Sequence, residues 1–280
     1  MTADRGTPRP WADLPALAAR LRGEIVRMTT QAGSGHPSSS MSAIDAMVVL
    51  YFGGFLRYDP RMPAWPDRDR FILSKGHACP ALYACLAEAG YFPPERLMTL
   101  QHLGSPLEGH PNMRRVPGVE ASTGSLGQGL SLGVGHALAA RFDGRSFRTW
   151  VMLGDGECQE GQVWEAAMTA AKYRLANLTA VVDYNKFQQS GAVAEINDLE
   201  PFADKWRAFG WEAREVDGHD FNALREAFAA ASAERARPGV VLAHTVKGKG
   251  VSFVEADWTY HGRAIKPADE AKALEELRWR

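Results

Sequence analysis

Short apolar runs alternate along the chain with longer stretches in which apolar residues recur every three or four positions. Leu14, Leu17, Ala18, Leu21, Ile25 and Met28 fall on one face of a helix, with Arg20, Arg22, Glu24 and Arg27 opposite, and Gly33 ends it. Residues 41–52 form a hydrophobic run behind a polar loop in which Ser39 or Ser40 is the expected N-cap. Residues 69–74 read as a strand, and Pro80 opens a helix over 81–89 that Gly90 stops. A Gly- and Ala-rich helix then runs to about Phe142. Residues 150–153 and 178–182 are short β-rich runs, and between them Trp164, Ala167, Met168, Ala171 and Leu175 mark the apolar stripe of a connecting helix. Helices over 200–209 and 221–235, the latter capped by Asp220, alternate with strands over 211–216 and 239–246. From Pro267 the chain reads as a charged, helical, exposed end.

Strand and helix taking turns in this way predict an α/β fold: one doubly wound domain, a mostly parallel sheet with helices on both faces, and the site at the carboxyl edge of the strands. No repeat, linker or low-complexity segment divides it. The expected boundaries are a flexible lead-in over 1–13, the α/β domain over 14–265 and a C-terminal helical extension over 266–280.

With 280 residues, 45% of them hydrophobic, the chain has ample material for a core. A net charge of -1 gives no reason to expect nucleic acid or an anionic membrane as partner. Cys79, Cys85 and Cys158 show neither CxxC nor zinc spacing, which suits a reducing, cytoplasmic location. No segment reaches the ~18 uninterrupted apolar residues of a membrane span, and the first residues lack the apolar core of a secretory signal.

The stretch from 149 to 191 carries the chemistry. Strand, crossover helix and strand in so short a span make a right-handed βαβ unit, so both strands finish at one edge of the sheet. Asp155, in Gly154-Asp155-Gly156, and Asn185 then share a crevice. Parallel neighbours lie about 4.8 Å apart, so the carboxylate and the amide oxygen can hold one hard cation at about 2.1 Å, and Mg²⁺ or another divalent cation fits. Such a site leaves the ion short of protein ligands and asks for a phosphorylated cofactor. The glycines over 124–129 bring backbone close to something, at a cost of about 1 kcal/mol each in helix stability. A dinucleotide phosphate loop is one reading, but no convincing strand precedes it and no acidic residue ends a second strand at the ribose-binding distance.

The wording of these segments, GDGECQEGQVWEA and DYNKFQQSG, resembles the transketolase family, and so do GHP at 35–37, SKGHA at 74–78, EGHP at 108–111, TGSLGQG at 123–129, VDGHD at 216–220 and His261-Gly262, in family order. The resemblance spans residues 14 to 265. It implies thiamine diphosphate held by His77, Gly124, Ser125, Leu126, Gly154, Asp155, Gly156, Glu157, Asn185 and His261, and a metal ion bound by Asp155, Asn185 and the Phe187 carbonyl. It further implies that His36, His110 and His261 act on substrate, and that Glu160 joins paired active sites through a carboxylate network. His219 and Asp220 are expected to be structural, and Lys247 and Lys249 to be solvated. Two departures stand out: Ser38-Ser39-Ser40 follows GHP where the family has Gly-Ala-Pro, and Ser125 replaces a proline.

In the family, a Glu beside the pyrimidine ring comes from a second α/β domain. A chain of this size therefore resembles the N-terminal subunit of a split transketolase, transferring a two-carbon ketol unit between sugar phosphates together with a C-terminal pyrimidine-domain subunit, as two copies of each. Two rival expectations are a split ketol or acyl transferase of specialised metabolism and a catalytically silent regulatory half. Asp155, Asn185 and the histidines speak against silence, which has no chemical need of them.

Overall fold

The structure is a computed structural model and describes Gly6 and residues 8–278. Residues 1–5 and 7, part of the expected lead-in, lie outside the described residues, and Trp11–Asp13 form a 3-10 turn that runs into the first helix. The helices and strands are α1 (Leu14–Ala32), α2 (Pro37–Phe52), β1 (Arg70–Leu73), α3 (Cys79–Glu88), α4 (Gln128–Phe142), β2 (Thr149–Gly154), α5 (Gly161–Lys172) and β3 (Leu178–Tyr184). A two-stranded hairpin, β4 (Phe187–Gln188) and β5 (Gly191–Ala192), leads to α6 (Val193–Asn197), α7 (Phe202–Ala208), β6 (Glu212–Asp217), α8 (Phe221–Ala233), β7 (Gly239–His244) and α9 (Pro267–Glu276).

The main sheet has the order β1-β2-β3-β7-β6, and every neighbouring pair in it is parallel. β1, β2, β3 and β7 are buried on both faces, so their residues divide by the period of two, while β6 is a half-exposed edge. Phe71, Leu73, Trp150, Met152, Val181 and Val241 join the core under α1, α2, α3 and α8. Their neighbours Ile72, Val151, Leu153, Ala180, Val182 and Leu242 join the core under α4, α5 and α7. This is the doubly wound α/β architecture expected from the sequence. Among the described residues no helix is long and apolar enough to cross a membrane.

Four local expectations are corrected. The buried stripe of α5 is Val163, Ala166, Ala167 and Ala170, whereas Met168 is 54% exposed. Alanines let this helix sit close to the sheet, and the longer Met side chain is turned outward. Arg22 lies on the buried side of α1, where it donates to Asp45 Oδ2 at 2.6 Å and to Met41 O at 3.2 Å. The N-cap of α2 is His36, because Pro37 suits the first helical position and Ser40 Oγ bonds back to His36 O at 2.9 Å. The charged end is not wholly exposed either, since α9 packs on α1 through Ala273 and Leu277.

Other local expectations hold. Asp220 Oδ1 accepts from the amides of Asn222 and Ala223 and caps α8. His219 is structural: Nδ1 faces Asp45 Oδ2 at 2.6 Å and Nε2 accepts from Val246 N at 2.8 Å, tying the loop after β6 to the end of β7.

Candidate active site

A cleft of about 670 Å³ opens at the carboxyl ends of β1, β2 and β3. His36, His77, His110, Gly124, Leu126, Gly154, Asp155, Gly156, Glu157, Glu160, Asn185, Phe187 and His261 all line it. Ser125 lines the groove next to it, together with His110 and Gly124. The sequence-predicted residues thus converge from seven separate segments.

Register explains the centre of the cleft. Gly154 of β2 pairs with Asp183 of β3, so Asp155 and Asn185, each one residue past its strand, emerge at the same edge one register step apart and both line the cleft. Asp155 is 2% exposed; its Oδ1 accepts from Gly156 N at 2.8 Å and its Oδ2 from Lys186 N at 2.6 Å. Burial and the Asp183 charge push its carboxyl up to about 6, against those two amides. Asn185 Oδ1 accepts from Phe187 N at 3.1 Å, and its Nδ2 donates to Asp183 Oδ2 at 3.0 Å. A carboxylate or amide oxygen has two lone pairs, so these oxygens keep capacity for a cation.

Asp183 is the hub beneath. It accepts from Lys75 Nζ, from Ser42 Oγ at 2.7 Å, from Asn185 Nδ2 and from Thr245 Oγ1. Burial pushes its carboxyl up, but the Lys75 ammonium and these hydrogen bonds outweigh it and hold the group below the ordinary carboxylate range. Lys75 Nζ also donates to Ser39 O at 3.1 Å. Lys247, expected to be solvated, is completely buried, and its Nζ reaches Ser39 Oγ at 2.8 Å and His261 Nδ1 at 3.2 Å. Burial and the Lys75 charge bring it down to about 7. The three serines after His36 are therefore structural links: Ser38 Oγ donates to Tyr260 O at 2.8 Å, and Ser39 receives both lysines.

The rings of His36, His77 and His261 form a triangle, with centroids 5.0, 5.3 and 5.1 Å apart. Burial and the nearby charges of His110, Lys247 and Lys75 lower His36 to about 4. Burial, Lys247, His36 and Lys75 lower His261 to about 3, and His77 falls well below its ordinary value for the same reasons of burial and positive neighbours. All three are neutral imidazoles near pH 7. An ammonium at Lys247 donates to His261 Nδ1, which leaves the ring proton on Nε2. His110 is exposed at the mouth, where a Cβ on Gly124 would come 3.1 Å from its Cδ2.

Glu157 does not offer its carboxylate to the cleft. It accepts from Ser74 Oγ at 2.5 Å, Gly127 N at 2.9 Å and Gly154 N at 3.0 Å, and so clamps the ends of β1 and β2 to the glycine-rich loop. Gly127 there has φ +81°, and a Cβ on it would stand 3.0 Å from Glu160 Cβ, which explains the glycine. Glu160 itself is exposed at the start of α5. Sequence reasoning missed Asp183, Lys75, Lys247 and Ser39 as parts of this network. The signal for Asp183 was present: a lone carboxylate inside an apolar strand must have a buried partner.

Residues 16–280 match the family described as transketolase, thiamine diphosphate binding domain. The chain belongs to the transketolase family. Among its relatives is the 6-deoxy-6-sulfo-D-fructose transketolase subunit SqwG of Clostridium sp. (strain MSTE9), 44% identical over 265 residues, covering 95% of this chain and 96% of that one. An apulose-4-phosphate transketolase subunit of Phocaeicola vulgatus is 41% identical, over 86% of this chain and 85% of its own. The crystal structure of the Campylobacter jejuni transketolase superposes with a TM-score of 0.90 at 30% identity, over 96% of this chain and 43% of that one. The chain thus spans most of the length of the two named subunits and less than half of that solved transketolase.

Proposed function

We propose that this chain is the diphosphate-binding half of a two-subunit transketolase that moves a two-carbon ketol unit from an anionic ketose to an aldose. One observation carries the reading: Asp155 and Asn185 stand together at the ends of adjacent parallel strands, facing a cleft with three neutral imidazoles. The two subunit-named relatives support the division of the enzyme between chains, and their names point to sulfo- or phospho-sugars as the class of substrate.

The residues fit magnesium and thiamine diphosphate. Asp155 is a buried carboxylate with no ammonium or guanidinium bonded to it among the described residues, so a divalent cation would supply the charge it lacks. No group of three His, Cys, Asp or Glu able to hold a metal occurs among the described residues. Asp155, Asn185 and the Phe187 carbonyl would hold the ion, and so few protein ligands would leave room for the diphosphate. His77 sits at the start of α3, where amides and the helix dipole favour an anion, and Lys75 adds positive charge. When bound, thiamine diphosphate supplies the electron sink for the transferred two-carbon unit.

This chain's own groups hold substrate and move protons. His36 and His261 stand edge to face over the cleft, and a neutral ring can accept a proton from a donor hydroxyl and return it to an acceptor carbonyl oxygen. Lys247 keeps the His261 Nε2 proton directed away from itself, and Ser39 holds Lys247 in place. Glu160 and the exposed Leu126 stand at the rim, where the pyrimidine-domain subunit would close the cleft, exclude water and make an assembly of two copies of each chain.

Calorimetry of thiamine diphosphate binding to the assembled enzyme tests the site: Asp155→Ala should abolish the magnesium-dependent part of the affinity. Two-carbon transfer should appear only on adding the pyrimidine-domain subunit, saturating at one chain of each. Undiminished cofactor affinity in well-folded Asp155→Ala protein, or transfer by this chain alone, would overturn the reading.

A further inference from the structure

At the opposite, amino-terminal edge of the same sheet lies a second basin, of about 620 Å³, lined by Arg57, Arg141, Arg145, Arg148, Arg174 and Arg235. Its only acidic lining residue is Glu234. The chain as a whole carries a net charge of -1, so this concentration does not follow from overall basicity. Every cation in the basin is an arginine, the side chain whose planar fork matches an oxyanion in two places.

The bland explanation is that these arginines serve carboxylates and helix ends. Part of the charge is used in that way. Arg57 pairs with Asp69 at 3.0 Å and Arg145 with Asp67 at 2.7 Å. Arg141, Arg174 and Arg235 lie in or just beyond the last turns of α4, α5 and α8, where positive charge meets the negative ends of the helix dipoles. Three such ends carry roughly half a negative charge each. Set with Glu234 against the four arginines that have no carboxylate partner among the described residues, they leave a net of about +1.5. The helix ends therefore do not neutralise the basin.

Four of the six guanidinium groups are also tied to backbone carbonyls. Arg57 Nη2 donates to Ser146 O at 3.0 Å, Arg141 Nη2 to Arg174 O at 3.1 Å, and Arg235 Nη1 to Ser232 O at 2.6 Å. Arg148 Nη2 bridges Ala176 O and Ala231 O at 3.1 and 2.9 Å, while its Nε is buried with no acceptor. Each guanidinium has five N–H groups, so these bonds restrain the four side chains, Arg148 most, and leave donors over. Preorganisation of this kind removes the ordering cost of capturing a ligand. Ser146, Ser232 and Asn177 add uncharged polar groups to the wall, and Asn177 turns its Nδ2 to Ala137 O at 3.1 Å, which leaves Oδ1 as an acceptor.

We propose that this basin binds a small phosphate monoester with a hydroxylated body, at a site separate from the catalytic cleft. The charge balance suits a dianion, the forks suit its tetrahedral oxygens, and the volume falls in the range of ordinary small-ligand sites. Arg148 immediately precedes β2 and Asp155 immediately follows it, so the two sites sit at opposite ends of one strand.

The test is a titration of the full chain with inorganic phosphate and with glycerol 3-phosphate, read by NMR at the arginine Nε–H groups and at the amides of Ser146 and Asn177. It is repeated with magnesium and thiamine diphosphate present to cover the cleft. Saturable shifts at these positions, unaffected by the cofactor and tighter for the monoester than for phosphate, are expected. The Arg141→Gln/Arg174→Gln double variant, altered only at exposed side chains, should bind at least 10-fold more weakly with unchanged thermal unfolding and unchanged cofactor affinity. Equal binding by wild type and variant, or shifts that never saturate and are lost together in moderate salt, would overturn the proposal. Neither result bears on the cofactor site.

Discussion

Lys247 Nζ lies 3.2 Å from Nδ1 of His261, and the side chain that makes this contact is entirely buried. A lysine just past the end of β7 thus reaches past Ser39 to set the tautomer of an imidazole 14 residues further on. The contact also helps to keep the ring uncharged. Burial is the larger cause of the low His261 value, and Lys247 is the next.

Replacing Lys247 with Met should therefore raise the His261 midpoint from about 3 towards the ordinary 6.5, and raise His36 less, because the charge nearest in effect to His36 is that of His110, whereas for His261 it is that of Lys247. Histidine ring NMR between pH 3 and 8 checks this. An unchanged His261 midpoint would show that Lys247 does not govern the ring.

The same shifts make a prediction for stability. A histidine near 4 when folded and near 6.5 when unfolded binds more protons in the unfolded chain between those values. Its contribution is intact above pH 6.5 and is lost as pH falls through that window towards 4. Denaturant unfolding at pH 7 and pH 5 should show a smaller loss in His36→Gln than in wild type.

His36→Ala should lower turnover of the assembled enzyme by roughly 10²-fold or more, as expected for a proton-transferring group, while magnesium-dependent cofactor binding stays near the wild-type value. Steady-state kinetics with several ketose donors, set beside calorimetry, separates the two effects. Normal turnover with every donor would remove His36 from the chemistry.

Asp183→Asn should be among the most damaging single changes. It keeps the shape of the hub but leaves the Lys75 ammonium buried without its carboxylate. Breaking a buried pair in this way costs roughly 3–5 kcal/mol. Urea unfolding of the chain without cofactor measures it, and a loss below about 1 kcal/mol would mean that Lys75 finds another partner or loses its proton.

The difference between Asp155 and Asp183 shows what the sequence made legible. Asp155 and Asn185 could be placed because strand ends and a crossover helix dictate where they point, and no long-range packing is needed for that inference. The doubly wound architecture was legible for the same reason, since uninterrupted apolar runs have to be buried on both sides. Lys75 and Lys247 were hidden because a lysine just past a strand reads as solvated. Only the packing of α2 against the sheet edge shows that Ser39 and Asp183 wait beneath. Met168 misled for another reason. Periodicity weighted by hydrophobicity favours large side chains, while the close face of α5 is built from alanine.

Close approach of helix to sheet also yields a matched pair of substitutions in α4. A Cβ on Gly133 would stand 2.4 Å from Val151 Cγ2 and 3.3 Å from Leu178 Cδ1, so this glycine is what lets α4 lie against β2 and β3. Gly135, two residues on and exposed, would place a Cβ in open space, with nothing within 4 Å. Both have ordinary helical backbone, so neither is required by a left-handed conformation. Alanine at Gly135 should then stabilise the chain by about 1 kcal/mol through helix propensity alone. Alanine at Gly133 gains the same propensity but must push α4 off the sheet or distort Val151, an overpacking cost of roughly 1–3 kcal/mol. Since α4 begins in the loop that Glu157 clamps, the displacement should also weaken cofactor binding, which Gly135→Ala should leave alone. Thermal unfolding and cofactor calorimetry on the two variants check the contrast, and a Gly133→Ala protein as stable as Gly135→Ala would show that the helix is not held at this distance by the missing side chain.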